Sequence, residues 1–271
     1  MDVDTRQSKG GVTMSTSIST TESAYAALDP ATLKRVQERH AWVAEPLFRA
    51  STYVRTMPFF EWIEELRAPE DFRPAAVQLF HHSATFPKIM GLMLALTPFS
   101  ENHMMPFYAR HAFGEADHHE LLMQWILKHE VLRSRQEMDE VLITPATNSC
   151  INLGYRLALE ADRYAWVLTL NSGIERCSND LFKALAPKMR SLGAGDVYFD
   201  VHVEADEHHS IMGMDYLEPQ DPASARGRQL VARALEGVTL WAAMLHSWIG
   251  IDVLPQFGLD GRVRRSIRLA A

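Results

Sequence analysis

Apolar residues recur along this chain at intervals of three and four, whereas the alternation expected of strands, Val/Ile/Thr runs closed by Asn-Gly turns, is nearly absent. The pattern predicts an all-α protein. Asp29-Pro30 supplies a good N-cap and a good first helical residue, opening a helix with the register "LKRVQERHAWVAEPLF". A second helix, "PFFEWIEELR", follows Pro58. A third is expected from Asp71 to Leu96, with Pro87 in its middle, where the missing N–H and the ring should bend it and open a cavity. A fourth is expected over Met105 to Leu132. The stretch Ala146 to Leu192 should hold two helices, or one broken near "LNSG". Gly193-Ala194-Gly195 punctuates, "YFDVHVEADEHH" is the next helix, Pro219 to Pro222 make a turn, and "SARGRQLVARALEGVTLWAAMLHSWIGI" is the last. The expected architecture is a single compact bundle of about seven to eight helices without an internal linker. Residues 1–24, rich in Ser, Thr and Gly, read as a mobile tail; 25–255 form the helical domain and 256–271 a C-terminal extension.

Three of the apolar seams are interrupted. At about 100° per residue, positions 199, 202, 206, 209, 213 and 216 share a stripe, and they are Phe, His, Asp, His, Gly and Tyr. His202, Asp206 and His209 therefore converge on one side of their helix, as a metal site requires. Without a cation, a buried carboxylate there costs several kcal/mol or takes up a proton. In "FYARHAFGEADHHELLMQWILKHE" the seam is again broken by imidazole and carboxylate. Glu115 and His118 form an i, i+3 pair of the Glu-x-x-His type found in carboxylate-bridged metal bundles, and His119 competes with His118 for the role. His111, one turn earlier, is a further ligand, a hydrogen-bond donor to one, or a satisfied core histidine. Glu175 shares a stripe with Leu168 and Phe182, and alongside two other interrupted seams it is the natural bridging carboxylate. The candidate set is Glu115, His118, Glu175, His202, Asp206 and His209. Oxygen and nitrogen donors without thiolate suit iron or manganese. Six ligands exceed what one oxygen-activating ion can take while keeping open positions, so two metals are expected.

Composition narrows the partners. Hydrophobic residues make up 47% of the 271, ample for a continuous core, and the net charge of -7 comes with no dense Lys/Arg run. Nucleic acid and membrane are thereby excluded as expected partners. The start of the chain lacks an apolar signal-type stretch, and "IMGLMLALTPF" stops at Pro98, short of a bilayer span. Cys150 and Cys177 show no disulfide or CxxC spacing and fit a reducing, cytoplasmic location.

These residues resemble the haem-oxygenase-like di-iron oxidases and oxygenases, which share a helical fold with haem oxygenase and the TenA and PqqC proteins. The likeness lies in His202-x3-Asp206-x2-His209 preceded by "YF", in Glu175, in "GEADHHELL", in "FHHSATFPKIMGLMLALTP" and in "TLWAAMLHSWIG", and it spans roughly residues 35 to 250. Many members place the first glutamate seven residues before the ligand histidine, where this chain has His111; the Glu-x-x-His spacing of the fatty-acid decarboxylase branch assigns Glu115 instead. Glu64 and Glu65 are candidates for additional, substrate-gated ligands.

The resemblance implies two ferrous ions cycling between Fe2+ and Fe3+, dioxygen as co-substrate, and oxidation of a small molecule. The expected reaction is N-oxygenation of an amine or amino-acid-like metabolite in specialised metabolism; the alternative is oxidative decarboxylation or C–C cleavage of an amino or fatty acid. A reductase or ferredoxin would be the external electron source, and a homodimer the assembly if one forms. Arg110, Arg156 and Arg163 are candidates to meet a substrate carboxylate, and the Met-rich "IMGLMLAL" to line an apolar channel. Rival classes are a haem-degrading enzyme using His40 as proximal ligand, a cofactor-free TenA/PqqC-like enzyme needing a general base or a nucleophilic cysteine, for which neither Cys150 nor Cys177 has an activating histidine beside it in sequence, and a binding bundle without metal.

Overall fold

Helix boundaries in the computed structural model, which describes residues 30–268, follow the local chemistry of caps, prolines and glycines. The tail expected over 1–24 lies outside the described residues. The first helical stretch divides at His40 into α1 (Pro30–Arg39) and α2 (Ala41–Val54). Pro58 starts α3 (Pro58–Glu65), and α4 (Arg73–Leu96) runs through Pro87. The fourth expected helix is two: α5 (Met105–Gly114) and α6 (His118–Lys128), separated by a turn at Glu115 to Asp117. A single turn, α7 (Gln136–Asp139), precedes α8 (Pro145–Glu160), whose Thr144 cap accepts the Thr147 N–H.

The break in the Ala146–Leu192 stretch falls at residues 161 and 162, not at "LNSG". Ala161 adopts the left-handed conformation (φ 50°), and Asp162 caps α9 (Arg163–Trp166) by accepting from the N–H groups of Tyr164 and Ala165. "LNSG" lies instead inside a π-helical segment, Val167–Glu175, that continues α9 into α10 (Arg176–Ser191). Asp196 caps α11 (Val197–His209), and Ser224 caps the long α12 (Ala225–Trp248). The extension expected from 256 is a departure from all-α: β1 (Val253–Phe257) and β2 (Val263–Arg268) pair as an antiparallel hairpin, so the boundary at 255/256 falls within a strand. The hairpin leans on the bundle through Tyr53 against Phe257 and the Thr239 hydroxyl donating to the Pro255 carbonyl at 3.1 Å.

The core centres on α12, which packs against the π segment, α8, α2 and α4. Trp166 and Trp241 are completely or almost completely buried there. Close approach of α12 to the π segment depends on missing side chains. A Cβ on Gly237 would stand 2.9 Å from the Thr169 methyl and 3.0 Å from its carbonyl oxygen, and one on Gly173 would stand 3.0 Å from the Ala234 carbonyl. Gly237→Ala should therefore lower stability by about 1–3 kcal/mol through overpacking. The check is a denaturant midpoint that falls at constant m-value; a wild-type midpoint would mean the two helices are not held in register here.

Candidate metal centre

Three elements bring seven ionisable side chains to one place in the core. The turn between α5 and α6 supplies Glu115, flanked by His111 from the end of α5 and His118 from the first residue of α6. The π segment ends on Glu175; its wide turns hold Asn171 and Ser172 buried on the way. Short π stretches inside helices are frequent at functional sites. The face of α11 carries His202, Asp206 and His209. All seven are buried, none more than 6% exposed.

Their donor atoms fall into two groups. His111, Glu115, Glu175 and His209 each offer an atom within 4.8 Å of the others, and so do Glu115, His118 and His202. Glu115 belongs to both. One of its oxygens is 2.7 Å from His118 Nδ1, the other 3.3 Å from His209 Nδ1. His111 Nε2 is 3.3 Å from Glu175 Oε1. The imidazoles pair across the helices, His111 with His209 at 4.3 Å and His118 with His202 at 4.4 Å between ring centres. His202 Nδ1 donates to the Tyr198 carbonyl at 2.6 Å, which leaves the Nε2 lone pair for a cation, and Phe182 stacks on its ring at 4.2 Å. Asn171 Nδ2 lies 3.4 Å from His111 Nδ1, an amide N–H donating to the ring, the reverse of the His202 arrangement.

The shared position therefore falls to Glu115, where the sequence pointed to Glu175. His111 joins the centre. His119 does not: it turns toward Phe80 and Glu120. Asp206 stands outside both donor groups, its carboxyl hydrogen-bonded to Glu175 and Ser178 and its Oδ2 buried without a partner. Glu64 and Glu65 are exposed on α3. Among the arginines, Arg110 is exposed, Arg156 pairs with Glu236 at 2.7 Å and Arg163 pairs with Glu101, so none faces the centre. Two participants escaped the sequence. Ser178 lies three residues past Glu175 and could have been found from the stripe; His82 of α4 reaches the centre's cavity only through tertiary packing.

The electrostatics show what the centre is suited to hold. Burial raises Asp206 well above the usual carboxylate range, and the charges of Glu175 and Glu115 raise it further. Burial and Glu115 do the same to Glu175. Burial also pulls His111 down to about 4 and His202 to about 3. His118 is the exception: burial opposes its charge, but the Glu115 carboxylate outweighs this and holds it at about 9. Glu115 Oε1, Glu175 Oε1, Asp206 Oδ2 and His111 Nε2 make no hydrogen bond, though each is buried. Such unpartnered buried polar atoms cost about 1–3 kcal/mol apiece, and cations between the carboxylates would offset the cost. Three carboxylates and four imidazoles without thiolate fit iron.

Beside the donors is an internal cavity of about 20 Å³, walled by apolar Phe86, Ile174, Phe182 and Trp241 and by His82. A volume of about 20 Å³ has room for a water or a diatomic gas, not for a metabolite. A porphyrin has no room there, and His40, completely buried at the α1–α2 junction, presents no face to it. Cys150 and Cys177 are buried thiols; burial alone pushes Cys150 up to about 12 and dominates the rise of Cys177, so neither is an activated nucleophile.

A helical bundle with this centre matches solved structures of one fold. A TenA homologue from Pseudomonas syringae pv. tomato superposes with a TM-score of 0.65 at 13% identity, covering 83% of this chain and 99% of that one. A domain of unknown function with a haem oxygenase-like fold from Shewanella denitrificans gives 0.58 at 15% identity, covering 83% and 94%. Among curated proteins, none matches. Residues 73–242 match the model of the iron-containing redox enzyme family, and the chain belongs to that family. Among the described residues, no helix is long and apolar enough to cross a membrane.

Proposed function

We propose that this protein is a dioxygen-dependent, non-haem di-iron oxidoreductase, with one iron held by His111, Glu115, Glu175 and His209 and the other by Glu115, His118 and His202. It rests on one observation: two buried donor groups share a single carboxylate. Asp206, hydrogen-bonded to Glu175, completes the negative charge to three, which nearly balances two divalent ions. When bound, the ferrous pair supplies the electrons that reduce dioxygen.

The chain's own residues set the conditions for that chemistry. His118 and the Glu175–Asp206 pair carry protons in the metal-free centre and release them as cations enter. His82, lowered to about 4 by burial, stays neutral in the cavity wall and offers a hydrogen-bonding ring there without adding charge. The apolar walls keep bulk water from the reacting atoms. The small-molecule substrate, an amine or amino-acid-like metabolite undergoing N-oxygenation with electrons from a reductase or ferredoxin, is carried by the family resemblance rather than by the geometry.

Anaerobic ferrous loading followed by metal analysis tests the proposal. About two irons per chain and an absorbance transient on mixing with oxygen are expected. A single tightly held iron, or a loaded protein inert to oxygen, would remove the di-iron reading.

A further inference from the structure

The cavity at the centre is too small for a metabolite, yet a pocket of about 430 Å³ opens on the other side of two of the same backbone segments. It lies between α1 and α2 on one side and the π segment, the start of α10 and the end of α11 on the other. Arg176 and Ser210, which line it, directly follow Glu175 and His209. A volume of this size suits a small organic molecule.

Charges in this pocket are unequal. Lys34 pairs with Glu38 at 3.8 Å, and Arg49 pairs with Glu45 at 2.8 Å and donates to the Asp260 carbonyl. Arg176 is different. Its Nε donates to the buried Ser51 hydroxyl at 3.2 Å, its guanidinium lies 5.1 Å from the centre of the half-exposed Phe48 ring, and among the described residues its two terminal nitrogens make no hydrogen bond. Asp180, one turn further on, is within its field but has Arg55 as its ion-pair partner at 3.8 Å. An arginine held at Nε and stacked on a ring presents its remaining N–H groups as a preorganised fork for a carboxylate or phosphate. The neighbouring pocket wall is apolar: Leu47, Ala44 and Met214.

We propose that this pocket is a recognition site for a small amphipathic anion, a carboxylate or phosphate monoester on an apolar body, with Arg176 as its anchor and Phe48 as the surface on which the body rests. The site does not depend on iron, so it is tested on the metal-free full-length chain. Isothermal titration with hexanoate, benzoate and phenyl phosphate, against benzamide and benzyl alcohol, decides it. At least one anion should bind, and the uncharged analogues at least about tenfold more weakly. Arg176→Gln should weaken that anion at least about tenfold and Phe48→Ala, at an exposed ring, about threefold, while Arg49→Gln should leave it within about twofold. Whether benzoate or phenyl phosphate binds more tightly identifies the headgroup. Absence of binding by all three anions would overturn the proposal, as would equal losses in Arg176→Gln and Arg49→Gln or full affinity in Arg176→Gln.

Discussion

Glu115→Gln should lose iron from both halves of the centre at once, a fall from about two per chain to well under one after anaerobic loading and desalting. Glu115 is the one side chain common to both donor groups, its two oxygens facing His118 and His209. An amide keeps the size and leaves the packing intact, but it removes the charge that each cation needs and presents an N–H₂ to one of them. Affinity should fall by at least about a hundredfold at both positions. His118→Ala removes a donor from one group only and should retain about one iron. His119→Ala, outside both groups, should retain about two. Helical circular dichroism should be unchanged in all three. Two irons in Glu115→Gln would show that the shared carboxylate is not what holds the pair together.

How far this centre could be read from the sequence depended on the kind of signal. A charged or imidazole group on an apolar stripe is visible because burying it is expensive, and that cost marked the α11 face, Glu175 and the Glu115–His118 pair. The turn at Glu115 to Asp117 left a weaker trace. Gly114 ends α5 and Asp117 precedes α6, but the 3.6-residue pattern continues across them, so one long helix was expected. At that turn Glu115 sits between His118 of α6 and His209 of α11, which is how one carboxylate comes to serve both donor groups. The π segment was hidden for a different reason. Thr169, Asn171 and Ser172 look like a loop because they are polar, whereas the fold buries all three, Thr169 against α12, Asn171 beside His111 and Ser172 against Met214, and a widened helical turn has no sequence period distinct enough to announce it. The C-terminal hairpin did leave a signal in Asp260-Gly261, outweighed by Pro255 within the preceding strand. Arg176 could not be singled out, because its role arises only where α2 brings Phe48 and Ser51 beside it.

The metal-free protein should lose thermal stability as pH rises from about 6.5 to about 9, and iron should abolish the loss. Asp206 and Glu175 have folded-state pKa values raised by burial and mutual repulsion, so the folded chain holds protons that the unfolded chain releases near pH 4. Stability they favour is present below that value and is lost as pH rises. His118, held at about 9, acts in the same direction: its contribution is complete below the unfolded value of about 6.5 and gone above 9. The lowered histidines, His111 and His202, destabilise the folded chain only below about pH 6.5, outside this window. Asp206→Asn isolates the carboxylate contribution. Its amide can donate to Glu175 as the protonated acid does, so at about pH 4 and below, where unfolded Asp206 keeps its proton, the metal-free variant should melt close to wild type. At pH 9 it should melt several °C higher, corresponding to about 1–3 kcal/mol, because no proton remains to be lost. The same variant should gain less from ferrous iron than wild type, since a neutral amide replaces one of the three negative charges. Equal melting temperatures for variant and wild type at both pH values would mean that Asp206 is not strained by its burial. A buried acid that weakens the empty fold and strengthens the loaded one is retained for the cation it helps to hold, and the sign of that pH-dependent difference separates this role from a packing one.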